Sequence, residues 1–556
     1  MKVKGKKLFF NILILQKLNF FTHIFMELHS SQSWFYLFYV KIVLIYIKVM
    51  INVVQQRENS YHVHHKILFT HILKNMDQEA IIKSIVRIHS YGRNIDFSKP
   101  FKTADRNKSV GTGSFIEPPV ATPGSLYVLT CAHCIDGADT VAVLLPLQSQ
   151  IEIPATVISF VPQYDLAILH IPDVDGHLRG TTSHFQLGRS DNLKLGNRVI
   201  SVGFPLGQTA LKVSDGVYAG FQNSLQITAP ISPGCSGGPL LNEANEIIGV
   251  NNSGIVALEA NNIGYSIPIE FYLNQKTRMF SVPVGPPSPE RVLHLPSFGA
   301  LFHEATRSQI LNATAGAQCC QSGVYISKVL DNSPAASVMK AGDILCSFDS
   351  LNIENTGELA VPWNYQKIQL ENVFKRSVDE QKKFPLIVWS NGNCNNVEMT
   401  PKDIMRNGNR ELFPPYDPVA YVAFMGFCFM ELHPNHMAIP TLIKAYIKLK
   451  IEELQSPHLI IVHVFNGMQS QSTGILREGD FITEVNGRSV STLAELRESF
   501  KTPIVNENGG KMLSVANDNG STFMLSVEDV LEEERRSTAI ASIYVQELEI
   551  ITILKG

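Results

Sequence analysis

Between residues 76 and 285, short runs of Val, Ile, Leu and Tyr alternate with Gly, Pro and Asn turns. The runs are VGTGSFIE, SLYVLTCAH, VAVLLPL, EIPATVISF, DLAILHI, NRVISVGFP, SLQIT and EIIGVNN. Strands at this spacing, with no helical period between them, predict a sandwich or barrel. The chain of 556 residues is long enough for three or four domains of ordinary size. With 45% apolar and 17% charged residues it can bury real cores, which excludes a disordered or fibrous class. A net charge of −3 argues against a dedicated nucleic-acid binder, which would show a basic domain or stripe. No uncharged apolar run reaches the roughly 18 residues of a membrane span, so a transporter is excluded.

Three polar residues stand out on the β pattern. His133 follows a strand in LTCAHCI, Asp165 precedes one in QYDLAILHI, and Ser236 sits in the Gly-rich turn PGCSGGPL. A serine hydroxyl is a poor nucleophile until an imidazole accepts its proton. That imidazole needs a carboxylate on its other nitrogen to fix the tautomer. Gly234 lets the backbone turn so that the amides of Gly234 and Ser236 point at one spot, where a carbonyl oxygen becomes negative during attack. Gly237 and Gly238 are expected to leave room for a substrate backbone. Each piece alone is weak; three in chain order, each in strand context, predict nucleophilic acyl transfer.

The motifs TCAHCI, YDLAILHI and GCSGGPLLN resemble those of the chymotrypsin-like fold, in its HtrA/DegP branch. VGTGSFIE, RVISVGFPLG and IGYSIPIE are similar to flanking strands and the specificity loop of that branch. The resemblance implies a double β-barrel serine endopeptidase with His133 as general base, Asp165 as its orienter and Ser236 as nucleophile. It places the oxyanion hole on the turn Gly234, Cys235 and Ser236. It also places an S1 pocket for small aliphatic side chains at Gly264, Tyr265, Ser266 and Ile267. Cys235 departs from the family's Asn at this position, so the hole is expected to be less well held at rest. Cys131 and Cys134 flank the histidine without an upstream partner. A zinc site lacks a second ligand pair at suitable spacing, so no metal is expected and free buried thiols are. Eight cysteines are too sparse for a disulfide scaffold, and unpaired thiols favour a reducing compartment.

Beyond the barrel pattern, SVPVGPPSPERVLHLP (281–296) reads as a semi-rigid linker. The segment 322–353 has a strand, a Ser333-Pro334 helix start, a Gly342-Asp343 turn and another strand. Residues 459–500 repeat this order around Gly479-Asp480. Both stretches resemble PDZ modules, which capture extended C-termini by strand addition. The first would bind its peptide carboxylate at Phe298, Gly299, Ala300 and Leu301; the second has no recognisable binding loop and is expected to serve assembly. YVAFMGFCFMEL (421–432) is expected to be a buried strand pair.

The expected organisation is an extension (1–75), protease domain (76–285), first PDZ domain (286–405) and divergent second PDZ-like domain (406–556). This layout is similar to that of two-PDZ plant Deg proteases. Residues 1–75 read as a targeting, membrane-associated or non-native extension. The resemblance implies an ATP-independent quality-control protease acting on unfolded polypeptides. It further implies assembly into trimers or multiples of trimers, with no cofactor and no nucleic-acid partner. The rivals are a regulatory protease of one partner and a catalytically weak PDZ scaffold or holdase.

Overall fold

The computed structural model describes residues 78–102, 105–120, 122–148, 151–257, 260–378, 382–402, 410–450, 453–540 and 547–555. The expectations for residues 1–75 lie outside them. No described helix is long and apolar enough to cross a membrane.

Twelve strands form two closed barrels. The first contains β1 (Ile85–Arg93), β2 (Arg106–Ile116), β3 (Ser125–Thr130), β4 (Ala138–Leu144), β5 (Ile153–Val161) and β6 (Leu166–Pro172), ordered β1-β2-β3-β6-β5-β4. The second contains β7 (Arg198–Gly203), β8 (Lys212–Phe221), β9 (Leu225–Ile227), β10 (Pro239–Leu241), β11 (Ile247–Ala257) and β12 (Ala260–Pro268), ordered β10-β11-β12-β9-β8-β7. Val86, Ile88, Val128, Val143 and Leu169 fill the first. Val199, Val202, Leu240 and Ile248 are buried in the second. Each fully buried side chain of this kind contributes about 1.5–3 kcal/mol. Closure leaves neither sheet with an open edge. Helix α1 (Ile269–Phe280) leaves the second barrel and packs on the first. Ser159 Oγ donates to Met279 O at 2.8 Å, and Tyr164 stacks on Phe271 with ring centroids 4.4 Å apart.

The Pro-rich stretch, expected from its composition to be a semi-rigid linker, is docked on the first barrel. Arg291 is buried there and donates through Nη1 to the carbonyls of Val157 (2.8 Å) and Ile158 (2.9 Å). Val292 enters the core of the first barrel, and Leu293 N donates to Phe160 O at 2.9 Å. The stretch is a strap on the barrel wall.

The next sheet runs β13 (Ala300–His303), β14 (Val324–Val329), β15 (Ile344–Phe348), β16 (Phe384–Ser390) and β17 (Asn393–Met399) in spatial order. Helix α2 (Leu370–Ser377) lies on it, Phe374 packing on Phe298, Phe348 and Phe384. Ser333 caps a single 3₁₀ turn, Ala335–Ser337, where an α-helix was expected. Two disulfides, Cys319–Cys394 and Cys320–Cys346, tie the segment before β14 to β15 and β17. Cys131, Cys134, Cys235 and Cys428 are free and buried. With four of eight cysteines paired, the reasoning that favoured a reducing compartment no longer holds.

The last sheet repeats the first PDZ-like unit. In one copy Gly342 N donates to Ile326 O (2.8 Å) and Ile326 N to Asp343 O (2.9 Å). In the other, Gly479 N donates to Ile461 O (2.8 Å) and Ile461 N to Asp480 O (3.1 Å). Each aspartate also caps its own turn, Asp343 accepting from Lys340 N and Asp480 from Arg477 N. Strands Val422–Phe424 and Phe427–Glu431 pair as expected around Met425-Gly426, both at positive φ. Phe427–Glu431 has Val422–Phe424 on one side and Leu459–Val464 on the other, so neither edge is open. Met425 N donates to the buried Glu534 carboxylate at 3.0 Å.

Candidate active site

Strands β3 and β6 pair antiparallel with Thr130 opposite Ala167, which brings the residues just after β3 and just before β6 to one barrel end. His133 sits there on the 3₁₀ turn Ala132–Cys134. Asp165 adopts a left-handed conformation, φ 56°, which a short polar side chain tolerates. Its carbonyl accepts from Ala132 N (3.1 Å), Oδ1 from His133 N (2.8 Å), and Oδ2 lies 2.7 Å from His133 Nδ1. The carboxylate therefore assigns the proton to Nδ1 and leaves the Nε2 lone pair free. The side-chain amide of Asn252 donates to the same Oδ2 at 3.0 Å. Burial works against charge on His133. The hydrogen bonds to Asp165 and to the Cys134 sulfur outweigh it and raise the imidazole above its ordinary value. An imidazolium formed here is stabilised.

Ser236 belongs to the second barrel and is fastened from the first. Ser232-Pro233-Gly234-Cys235 is a β-turn closed by Cys235 N donating to Ser232 O at 3.0 Å, with Gly234 at φ 93°. Pro second and Gly third, at positive φ, is the type II pattern. A Cβ on Gly234 would stand 2.5 Å from Phe204 O, so only glycine fits. Leu206 N donates to Pro233 O (2.6 Å), and Thr112 Oγ1, from β2, donates to Gly234 O (2.7 Å). Thr112 N donates to Ser236 O at 2.8 Å. One threonine of the first barrel thus sets where the second barrel's serine lies relative to His133.

These contacts change three expectations. The turn is held by its own Pro-Gly pair and by Thr112, so Cys235 does not leave it loose; burial pushes the Cys235 thiol up. The Cys235 amide is spent closing the turn, leaving the amides of Gly234 and Ser236, neither of which donates within the described residues. Finally, Gly237 and Gly238 do not make room for substrate. A Cβ on Gly237 would meet Thr112 O and Thr130 Oγ1 at 2.1 Å, and one on Gly238 would meet Val202 O at 2.2 Å. The missing side chain of Gly237 lets the two barrels approach, and that of Gly238 lets its turn lie against β7 of its own barrel.

His133 and Asp165 are brought together, whereas the Ser236 hydroxyl points elsewhere. Ser236 Oγ donates to the carbonyl of Asn252 at 2.7 Å and makes no hydrogen bond with His133. Of the expected pocket residues, Ser266 is buried, donating to Asn251 Oδ1 at 3.1 Å, and Ile267 is barrel core. Gly264 and half-buried Tyr265 alone remain as candidate walls; a Cβ on Gly264 would meet Ala229 O at 2.7 Å. At the first PDZ-like unit, Phe298 is buried against Phe302 and Phe374. Gly299 adopts φ 80°, and Ala300 and Leu301 lie on β13, the outer strand of its sheet. Sequence reasoning passed over Thr112 and Asn252. The polar pair Asn251-Asn252 interrupting a strand pattern was the available signal for the second.

Residues 111–250 match the trypsin-like peptidase domain family. It is also similar to curated HtrA/DegP proteins. The serine protease Do-like HtrA of Bacillus subtilis is 30% identical over 258 residues, 42% of this chain and 54% of that protein. A DegP-like periplasmic serine endoprotease of a Marinomonas species is 28% identical over 387 residues, 67% of this chain and 71% of that protein. The chloroplastic protease Do-like 2 of Arabidopsis thaliana is 27% identical over 292 residues, 49% of this chain and 44% of that protein. The chain spans about half the length of the first and third of these relatives. The resemblance to HtrA/DegP trypsin-like serine proteases holds.

Proposed function

We propose that the chain is a serine endopeptidase acting on extended segments of unfolded polypeptides, with His133, Asp165 and Ser236 as its triad. The observation that carries the reading is the His133–Asp165 pair, 2.7 Å apart and doubly bonded through side chain and backbone, facing a serine on a rigid Pro-Gly turn. In the reaction, Ser236 Oγ rotates from the Asn252 carbonyl to His133 Nε2, gives up its proton there and attacks the substrate carbonyl. The amides of Gly234 and Ser236 receive the oxyanion. Asp165 stabilises the imidazolium, which then protonates the leaving amine, and water enters by the same base to release the acyl group.

The outer strand β13 supports peptide capture by strand addition at the first PDZ-like unit. The doubly paired Phe427–Glu431 supports a structural role for the second. Homo-oligomeric assembly in trimers rests on the family resemblance. The parked serine favours an enzyme that rests inactive and is engaged by substrate. Labelling with a fluorophosphonate tests the reading: wild-type chain is expected to be labelled and Ser236→Ala not. Equal labelling of both, or none of either in the presence of an unfolded protein substrate, overturns it.

A further inference from the structure

Asp165 lies 32 residues from His133, beyond any local metal-ligand spacing. The fold nevertheless brings Cys131, His133 and Asp165 together, with one donor atom from each within 4.8 Å of the others. Sulfur, imidazole nitrogen and carboxylate oxygen are the donors that zinc takes. The three residues differ in access. His133 and Asp165 side chains are 47% and 22% exposed, whereas Cys131 is fully buried behind them. An ion can therefore enter from the solvent side of the histidine and meet the sulfur last.

We propose that Cys131, His133 and Asp165 form an inhibitory site for zinc, water completing a tetrahedron. The inference rests on the proposed triad but goes beyond it, because Cys131 has no part in peptide cleavage.

Tetrahedral bonds of about 2.0–2.3 Å put neighbouring donors roughly 3.3–3.6 Å apart. The 2.7 Å contact between Nδ1 and Oδ2 has to open slightly, and the sulfur has to close in. The Cys131 thiol, held on the Asn251 carbonyl at 3.2 Å, releases its proton as the metal binds.

The consequence for catalysis follows from the imidazole. With zinc on Nδ1, a neutral ring carries its only proton on Nε2 and cannot accept another from Ser236. Asp165 at the same time leaves its orienting bond for the metal. General-base catalysis stops without any change to Ser236 or the oxyanion turn.

The experiment uses the full chain with its two disulfides intact, handled without oxygen or added thiol, with cobalt(II) as spectroscopic probe and zinc as competitor. Wild type and Ser236→Ala are both expected to bind one cobalt, with the visible bands of a tetrahedral ion and a sulfur-to-cobalt charge-transfer band that zinc abolishes. Zinc should suppress cleavage of a fluorogenic peptide by wild type, and a chelator should restore it. Cys131→Ala is expected to cleave peptide, to lose the charge-transfer band and to need at least about tenfold more zinc for inhibition. Cys131→Ser, which keeps a polar atom beside the Asn251 carbonyl, serves if the alanine variant does not fold. Absence of the charge-transfer band in wild type, or unchanged zinc sensitivity in both cysteine variants, overturns the proposal. Cobalt binding by a chain that never cleaves peptide would instead sink the protease reading and leave the metal site standing.

Discussion

Asn252 joins the carboxylate and the nucleophile of the site: its side-chain amide holds Asp165 Oδ2 at 3.0 Å while its carbonyl receives Ser236 Oγ at 2.7 Å. Removing the amide leaves the backbone carbonyl in place, so the two roles can be separated. Asn252→Ala takes one hydrogen bond from a charged acceptor, worth about 1.5–3 kcal/mol. If the bond matters fully in the transition state, kcat should fall ~10–100-fold with little change in KM. Steady-state peptide cleavage checks this. An unchanged kcat would mean that His133 alone orients Asp165.

The oxyanion turn gives a second test, in which neighbouring residues are expected to behave oppositely. Gly234→Ala places a Cβ 2.5 Å from Phe204 O at φ 93° and must displace the turn. Loss of an oxyanion donor costs about 10²–10³-fold in kcat. Cys235→Ala removes a thiol whose hydrogen-bond partner is the Ser232 backbone, a weak sulfur contact, and its cost should stay well below that range. Cleavage rates at matched concentration, with circular dichroism to verify folding, decide the matter. A larger loss in Cys235→Ala than in Gly234→Ala would show that the buried sulfur supports the turn.

Much of this was legible in the sequence where a local pattern carried it. Gly342-Asp343 and Gly479-Asp480 announce their turns because glycine takes the positive φ and aspartate caps the turn three residues back. His133, Asp165 and Ser236 are legible because each lies at a strand end. Thr112 was not, since a threonine inside a β run is ordinary until barrel closure sets it against Gly234. The disulfides were hidden for the same reason: adjacent Cys319 and Cys320 find partners 75 and 26 residues away, distances that only the sheet order bridges. Arg291 in its Pro-rich strap reads as linker because composition reports stiffness and is silent on docking.

The union of the protease barrels with the first PDZ-like unit depends on Arg376, which projects from α2 and is buried. Its Nη2 reaches Asp191, Ser190 Oγ (3.2 Å) and Glu270 Oε2 (3.0 Å), and its guanidinium lies 4.3 Å from the Trp363 ring centroid. Glu270 is itself 3% exposed, so Arg376→Ala would strand a buried carboxylate. Breaking a buried pair in this way costs about 3–5 kcal/mol. The variant should show a lowered midpoint of thermal unfolding and earlier cleavage by an added protease around residues 281–296. Double substitution Arg376→Met with Glu270→Gln should recover part of the loss. A single variant as stable as wild type would mean that the remaining contacts, among them Gln275 Nε2 donating to Val378 O at 2.9 Å and Asn274 Nδ2 to Arg376 O at 2.5 Å, hold the units together.

The last expectation concerns acid stability and His436. Its ring is fully buried, with Nδ1 accepting from His433 N at 2.9 Å and Nε2 facing no partner. Burial, then the neighbouring His433, lowers its pKa from 6.5 to about 4. The folded state thus binds the proton more weakly than the unfolded chain, for which 6.5 applies. Above pH 6.5 both states hold the ring neutral and the group contributes no pH dependence. As pH falls from 6.5 towards 4 the unfolded chain takes up the proton and the folded one does not, so stability declines. The full effect is on the order of 3 kcal/mol. Urea midpoints at pH 7 and pH 5 should differ for wild type, and the difference should shrink in His436→Phe, which keeps an aromatic ring beside Phe97. His433 is also held below its ordinary value by burial, so some pH dependence should survive in that variant. An undiminished difference in His436→Phe would place the acid sensitivity elsewhere in the molecule.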